Sequence, residues 1–343
     1  MNNKLVAPKK KIFITGIAGF LGSHLAEKLQ KEGHKVFGCD NLVGGYKDNV
    51  PRGVTFYKAD CLDRKKMFSL LKGVDIVYHT ACTAYLGVSP FSPHYITQNT
   101  YGITTSVLSA SIARGVKRFI FCGSMDRYGE QDKLPFTEDM IPKPNDPYGI
   151  AKYASELTVR NLCELHSMEY VIVLPHNIIG PRQKYDDPYR NVVSIMVNRM
   201  LQGKQPIIYG DGEQKRSFSF IDDVVNPLIK CAFSNDVAGE VINIGPDTEF
   251  VTINELAKLT AKLLNFSLKP IYVPDRPREV KLANASAEKA RRLLGYTPKT
   301  SLKDGIQSII DYIKKRGVKP FRYHLDLEII NELTPKTWKN KLF

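Results

Sequence analysis

Tyr148 and Lys152 stand four residues apart in YGIAK, a spacing that puts a phenol and an ammonium on one face of a helix. A free tyrosine, with a pKa of about 10, is a poor base at neutral pH. A nearby ammonium favours the phenolate, so the spacing predicts a tyrosine that can take a hydroxyl proton. Taken alone, YxxxK also occurs in many helices that only pack. Ser124 follows the apolar run RFIFC and offers a hydroxyl to a substrate oxygen, although a serine there can equally cap a turn. Asp126, two residues on, is a candidate acid–base group.

A phenolate acting on a hydroxyl is most useful beside a redox cofactor, and the start of the chain supplies a place for one. The segment TGIAGFLG sets glycines at 16, 19 and 22 between an apolar run and a helical pattern. Gly16 allows a tight turn, Gly19 lets a pyrophosphate approach the backbone, and Gly22 lets helix and strand pack closely. The helix that opens at Phe20 and Leu21 offers unpaired N–H groups and a positive dipole end to phosphates. Three such glycines also occur in an ordinary βα turn that binds nothing. Asp40, at the end of KVFGCD, argues against it, because a carboxylate there accepts from an adenosine ribose. The same charge repels a 2′-phosphate, so NAD is expected over NADP. Asp60, in KADCLD, is expected to face the adenine. The positive nicotinamide ring would then add to the pull on Tyr148.

These residues need a scaffold, and the pattern of apolar runs predicts one. Strands are expected at Lys11–Thr15, Lys35–Cys39, Val54–Lys58, Asp75–His79, Arg118–Cys122, Tyr170–Leu174 and Val241–Ile244. Helices are expected at Leu21–Lys31, Asp63–Leu71, Pro93–Arg114 and Pro147–Ser167. Continuous apolar strands alternating with helices mean an α/β fold: a Rossmann-type doubly wound parallel sheet with right-handed crossovers. After about residue 175 Pro, Gly and charge become frequent, as in GPRQKYDDPYR. The expected division is 1–175 with 218–247 as an NAD-binding domain, and 176–217 with 248–343 as a smaller, interleaved substrate domain.

The 343 residues carry a formal net charge of +14, which favours an anionic ligand. No Arg-rich arm, zinc-ligand spacing or RNA-binding signature is present, so neither a metal nor nucleic acid is expected. The six cysteines include no CxxC pair, which fits a reducing compartment. MNNKLVAPKKK has no apolar segment for a signal peptide, and no run reaches the ~18 residues of a membrane span. A cytoplasmic protein without membrane association is expected. The lysines at 4, 9, 10 and 11 and at 336, 339 and 341 read as solvated tails.

From Lys11 to about Ile313 the run of motifs TGIAGFLGSHL, CDNL, VYHTAC, FIFCGSMDRYGE, PYGIAKYASE, PHNIIGPRQ, IIYGDGEQKRSFSFIDDV and ARRLLGY resembles the extended short-chain dehydrogenase/reductase family. The resemblance is to its nucleotide-sugar 4-epimerases of the UDP-galactose type. It implies an NAD-dependent inversion at C4 through a 4-keto intermediate. Tyr148 would take the O4 proton, Ser124 would bind the keto oxygen and Lys152 would hold the nicotinamide ribose. Asn41, Cys61, Ala81, Cys82 and Asn99 would complete the cofactor site. A nucleotide-diphosphate sugar would be held by Asn177 and by Arg216 and Arg276 clamping the pyrophosphate. Glu279 would accept from the ribose, and Asn191, Val192 and Tyr209 would line the base pocket. The two long helices would pair in a homodimer. The chain departs from the epimerase pattern at Met125, Asp126 and His176. Asp126 stands where related dehydratases and decarboxylases carry a Glu, so a dehydrogenase, dehydratase or decarboxylase sharing the first step is an alternative. A non-catalytic NAD-binding sensor is another.

Overall fold

The computed structural model describes residues 9–343, so Lys4 and the rest of residues 1–8 lie outside the described residues. Six strands alternate with helices in the first half: β1 Lys11–Thr15, β2 Lys35–Asp40, β3 Thr55–Lys58, β4 Ile76–His79, β5 Arg118–Cys122 and β6 Glu169–Pro175. With Val241–Ile244 they form a seven-stranded sheet in the order Val241–Ile244, β6, β5, β4, β1, β2, β3, every pair parallel. The chain leaves β1 towards one edge and returns at β4 to build the other. The crevice between β1 and β4 is therefore the switch point at which such sheets bind ligands.

Both sheet faces are covered, which is why the strands read as continuous apolar runs. Ile12, Ile14, Tyr78, Ile120 and Val171 pack beneath α1 (Phe20–Lys31) and the helix Ile221–Phe233. Phe13, Val77, Phe119, Phe121 and Ile172 pack on the opposite face, against the helices Arg64–Leu70, Ile103–Ala113 and Pro147–Leu165. A third cluster, around Val197, Leu256, Ile306 and Ile310, is built by the helices Val192–Leu201, Ile253–Leu264 and Leu302–Arg316.

Two expectations need correction. The helix expected over 93–114 is not regular: Pro93–Thr97 and Ile103–Ala113 are α-helical, and Gln98–Gly102 between them is a π-helical turn. The Asn99 carbonyl accepts from Thr83 N–H at 3.2 Å, a partner outside the helix. Secondly, the C-terminal segment is not simply a solvated tail. Lys336, Lys339 and Lys341 are exposed, but Thr337 and Trp338 between them are buried. Among the described residues no helix is long and apolar enough to cross a membrane.

Candidate active site

The glycine turn joins β1 to α1. Gly16 has φ +72°, and its N–H and that of Ile17 donate to the Cys39 carbonyl at 2.8 and 3.2 Å, tying the turn to β2. A Cβ on Gly22 would stand 2.3 Å from the Gly16 carbonyl oxygen, so the helix can sit this close only without a side chain there. Gly19 is the N-cap of α1 and has no side chain to satisfy the first-turn amides. Those amides and the positive end of the helix open on the crevice. Asp40 ends β2, its Oδ2 accepting from Ala18 N–H at 3.1 Å and its Oδ1 from Leu42 N–H at 2.7 Å. Burial pushes its carboxyl above the usual range, opposed by these backbone donors. Asn41 donates to Asp60 at 3.1 Å, which joins the ends of the second and third βα units.

Across the crevice, Asp146 caps the helix Pro147–Leu165 by accepting from the Tyr148 and Gly149 amides at 2.9 and 3.1 Å. The cap fixes where the Tyr148 ring projects. The Ser124 hydroxyl accepts from Asp126 N–H at 3.2 Å, so it caps a 3-10 turn while its own proton stays free to donate. That turn is fastened to the helix by the buried ion pair Arg127–Glu156 at 2.8 Å. Lys152 is buried, and its ammonium donates to the Cys122 carbonyl at 2.7 Å.

Burial pushes the Tyr148 phenol well above its usual value; Cys82 adds to this, while the nearby Ser124 hydroxyl and the charge of Arg190 oppose it. Desolvation of the phenolate works against the lowering that an ammonium and a bound nicotinamide ring would bring. Asp126 is likewise pushed well above the carboxylate range, first by burial and then by the neighbouring charge of Asp146. The shift makes Asp126 a better proton holder than an exposed carboxylate, in keeping with an acid–base group. His176, fully buried, is pushed down to about 3 by desolvation and by Arg216, and is neutral.

At the far end Glu279 accepts from both arginines, from Arg216 at 2.9 Å and from Arg276 Nε at 2.9 Å. The carboxylate thus holds the two guanidiniums together. The Asn177 amide donates to the Ser217 carbonyl at 3.0 Å. Asn191, in the left-handed region at φ +65°, has a buried Nδ2 with no partner. Every site residue named from the sequence lines one continuous cleft of about 500 Å³, a volume typical of small-molecule sites. Arg190, Trp338 and Phe343 also line it and were missed. Arg190 lies in a charged stretch with no motif, and the two aromatics follow no periodic pattern.

The profile described as the NAD dependent epimerase/dehydratase family matches residues 12–245. The chain belongs to that family. A solved UDP-glucose 4-epimerase of Thermotoga maritima, with UDP-glucose, is 34% identical, with a TM-score of 0.84 over 89% of this chain and 99% of that one. A UDP-glucuronic acid 4-epimerase of Bacillus cereus, in complex with UDP-glucuronic acid and NAD, is 30% identical, with a TM-score of 0.82 over 90% and 100%. Among curated relatives, a UDP-N-acetyl-alpha-D-glucosaminuronate decarboxylase of Bacillus cytotoxicus is 32% identical over 90% of this chain and 98% of its own length. This family member is an NAD-dependent enzyme. Its glycine turn fits the cofactor: the unpaired first-turn amides of α1 suit a pyrophosphate, and the space a Gly22 side chain would take is closed by backbone.

Proposed function

We propose that the enzyme inverts C4 of a UDP-activated sugar. The observation that supports this is that Tyr148, Ser124 and Lys152 all line the cleft that also contains the Arg216–Glu279–Arg276 cluster. Bound NAD supplies the acceptor and donor for the hydrogen at C4. Tyr148 takes the O4 proton and later returns it, and Ser124 donates to the C4 oxygen. Lys152, with two N–H groups left after its bond to Cys122, holds the nicotinamide ribose. Gly16, Gly19, Phe20, Leu21 and Gly22 cradle the pyrophosphate of NAD, and Asp40 and Asp60 receive its adenosine end. Arg216 and Arg276 bind the substrate diphosphate, where planar guanidiniums suit phosphate oxygens. Asn191 has a free donor for the nucleotide. The test is incubation with UDP-, dTDP- and GDP-sugars read by NMR. A C4-inverted product is expected from a UDP-sugar, and none from any donor removes the proposal.

A second reading shares the oxidation and then diverges at Asp126. Its carboxyl, whose proton affinity is raised by burial and by Asp146, is the acid–base group this reading uses to exchange a proton at C5. Decarboxylation of a UDP-uronic acid is the step this suits, and the Bacillus cytotoxicus decarboxylase supports keeping it in view. Release of CO₂ from UDP-glucuronic acid with solvent deuterium at C5 is its signature; C4 inversion with C5 hydrogen retained rules it out.

We further propose a homodimer through the helix Pro147–Leu165, which exposes Ile150, Leu157 and Leu165. Light scattering in solution tests it. The division of the chain at 176–217 and 248–343 is supported by the separate third cluster of apolar side chains. A cytoplasmic location is supported by six unpaired cysteines.

A further inference from the structure

Residues 319–343 contain no strand and only one short helix, Lys336–Lys339, yet they are pinned along their length. Asn198 donates to the Lys319 carbonyl at 2.9 Å, Tyr189 to the Leu325 carbonyl at 3.0 Å, and Arg199 to the Leu342 carbonyl at 3.2 Å. The Trp338 indole N–H donates to the Pro188 carbonyl at 3.1 Å. These anchors belong to residues 188–199, the same stretch that presents Asn191 and Val192 to the cleft. The Glu328 carboxylate also accepts from the His94 and Tyr95 amides at 2.9 and 2.7 Å. The segment thus straps the proposed nucleotide side to the helix Pro93–Thr97.

The strap reaches the cleft itself. Trp338 is only 4% exposed and lines the cleft, with its ring centroid 6.3 Å from that of Tyr209. The Thr337 hydroxyl is hydrogen-bonded to the Tyr209 hydroxyl. On Tyr209 lies the Arg276 guanidinium, 4.7 Å from the ring centroid. A Cβ on Gly87 would meet Arg276 at 2.7 Å and Trp338 at 3.2 Å, so three separate parts of the chain close on one point. Trp338 also belongs to the apolar cluster that buries Tyr148. A segment that only covered surface would have no reason to place its tryptophan against the arginine and tyrosine of the cleft.

We infer that residues 319–343 form one wall of the substrate pocket, in which Trp338 sets the affinity for the nucleoside diphosphate part of the substrate by positioning Tyr209 and Arg276. This rests on the nucleotide-sugar reading above. Aromatic contact fixes Tyr209 from one side and the Thr337 hydroxyl fixes it at the rim. Without them the Arg276 guanidinium loses the ring on which it lies.

The experiment is calorimetric titration of the NAD-loaded full chain with UDP. Trp338→Ala is expected to weaken UDP binding roughly tenfold or more, an effect of the size buried aromatic anchors give. Trp338→Phe is expected to keep most of the affinity, and Thr337→Val to lose several-fold. NAD content and the melting temperature of Thr337→Val and Trp338→Phe are expected to stay near wild type. UDP affinity within twofold of wild type in Trp338→Ala, or in Thr337→Val should the alanine variant not fold, overturns the inference. Parallel loss of NAD and UDP with early melting also overturns it, since that marks a merely structural strap. A wild-type protein that takes no UDP at all fails differently: it removes the nucleotide-sugar reading itself, whatever the variants do.

Discussion

Gly22→Ala tests the cofactor turn. The new Cβ would lie 2.3 Å from the Gly16 carbonyl oxygen, 2.9 Å from its carbon and 3.0 Å from Ile17 Cα. An ordinary carbon–oxygen approach is ~3.3 Å or more, so the overlap is about 1 Å. All three obstacles are backbone, and none can swing aside. The start of α1 must therefore move by about that distance, taking its first-turn amides away from the pyrophosphate. A misplacement of ~1 Å can cost about 10²-fold in a reaction that depends on orientation; a loss of the same order in NAD affinity, ~2.7 kcal/mol, is expected here. Overpacking adds about 1–3 kcal/mol of lost stability. Gly44→Ala is the internal control, since a Cβ there meets nothing within 4 Å although Gly44 lines the same cleft. The assay is NAD titration of cofactor-stripped protein with thermal unfolding alongside. NAD affinity for Gly22→Ala within threefold of the Gly44→Ala control, with unshifted melting, refutes the reasoning.

Tyr148→Phe should lower turnover by about 10²–10⁴ while NAD stays bound; loss of NAD, or a rate within tenfold of wild type, contradicts the assigned role and, if turnover persists, leaves Tyr148 without one. Asp126 has a folded-state pKa raised above its unfolded value of about 3.9, so native protein keeps a proton that the unfolded chain has lost. Its contribution to stability is therefore present at low pH and is lost as pH rises towards the folded value, by up to ~1.4 kcal/mol per unit. Asp126→Asn should gain on wild type as pH rises from 4 towards neutrality in urea melts, and a pH-independent difference counts against an upward shift at Asp126. Glu156→Ala strands the Arg127 guanidinium, whose side chain is 6% exposed; a loss of about 3–5 kcal/mol is expected in urea unfolding, and a loss under ~1 kcal/mol means that Arg127 finds another partner.

Much of the fold could be read from the residues because a doubly covered parallel sheet demands continuous apolar runs, and KIFIT, RFIFC and VINI satisfy that demand over a few neighbouring positions. The glycine turn was legible for a similar reason: turn geometry, phosphate approach and helix packing each constrain one position in eight residues. Whatever depends on distant segments was not. The π-turn at Gln98–Gly102 goes with a bond between Asn99 and Thr83 that no helical pattern announces. The upward shift at Asp126 depends on Asp146, twenty residues away, and on a burial that the hydrophilic stretch around it does not suggest. The tyrosine's raised pKa has the same origin, since YxxxK spacing says where an ammonium sits but not how dry the phenol is. Trp338 escaped because a strap held by backbone carbonyls carries no periodicity.

The carboxylate between Arg216 and Arg276 bears on how substrate arrives. Two long cations held by one anion are already frozen in adjacent rotamers, and each arginine otherwise forfeits ~2 kcal/mol of side-chain freedom when it is immobilised. That entropic loss is met during folding rather than at encounter. The trio carries one net positive charge instead of two, so its long-range pull on a diphosphate is weaker and less sensitive to ionic strength than a bare arginine pair would be. Capture should then be selected by fit at close range more than by attraction from afar, a sensible bias for a surface whose overall charge of +14 already draws anions of every kind.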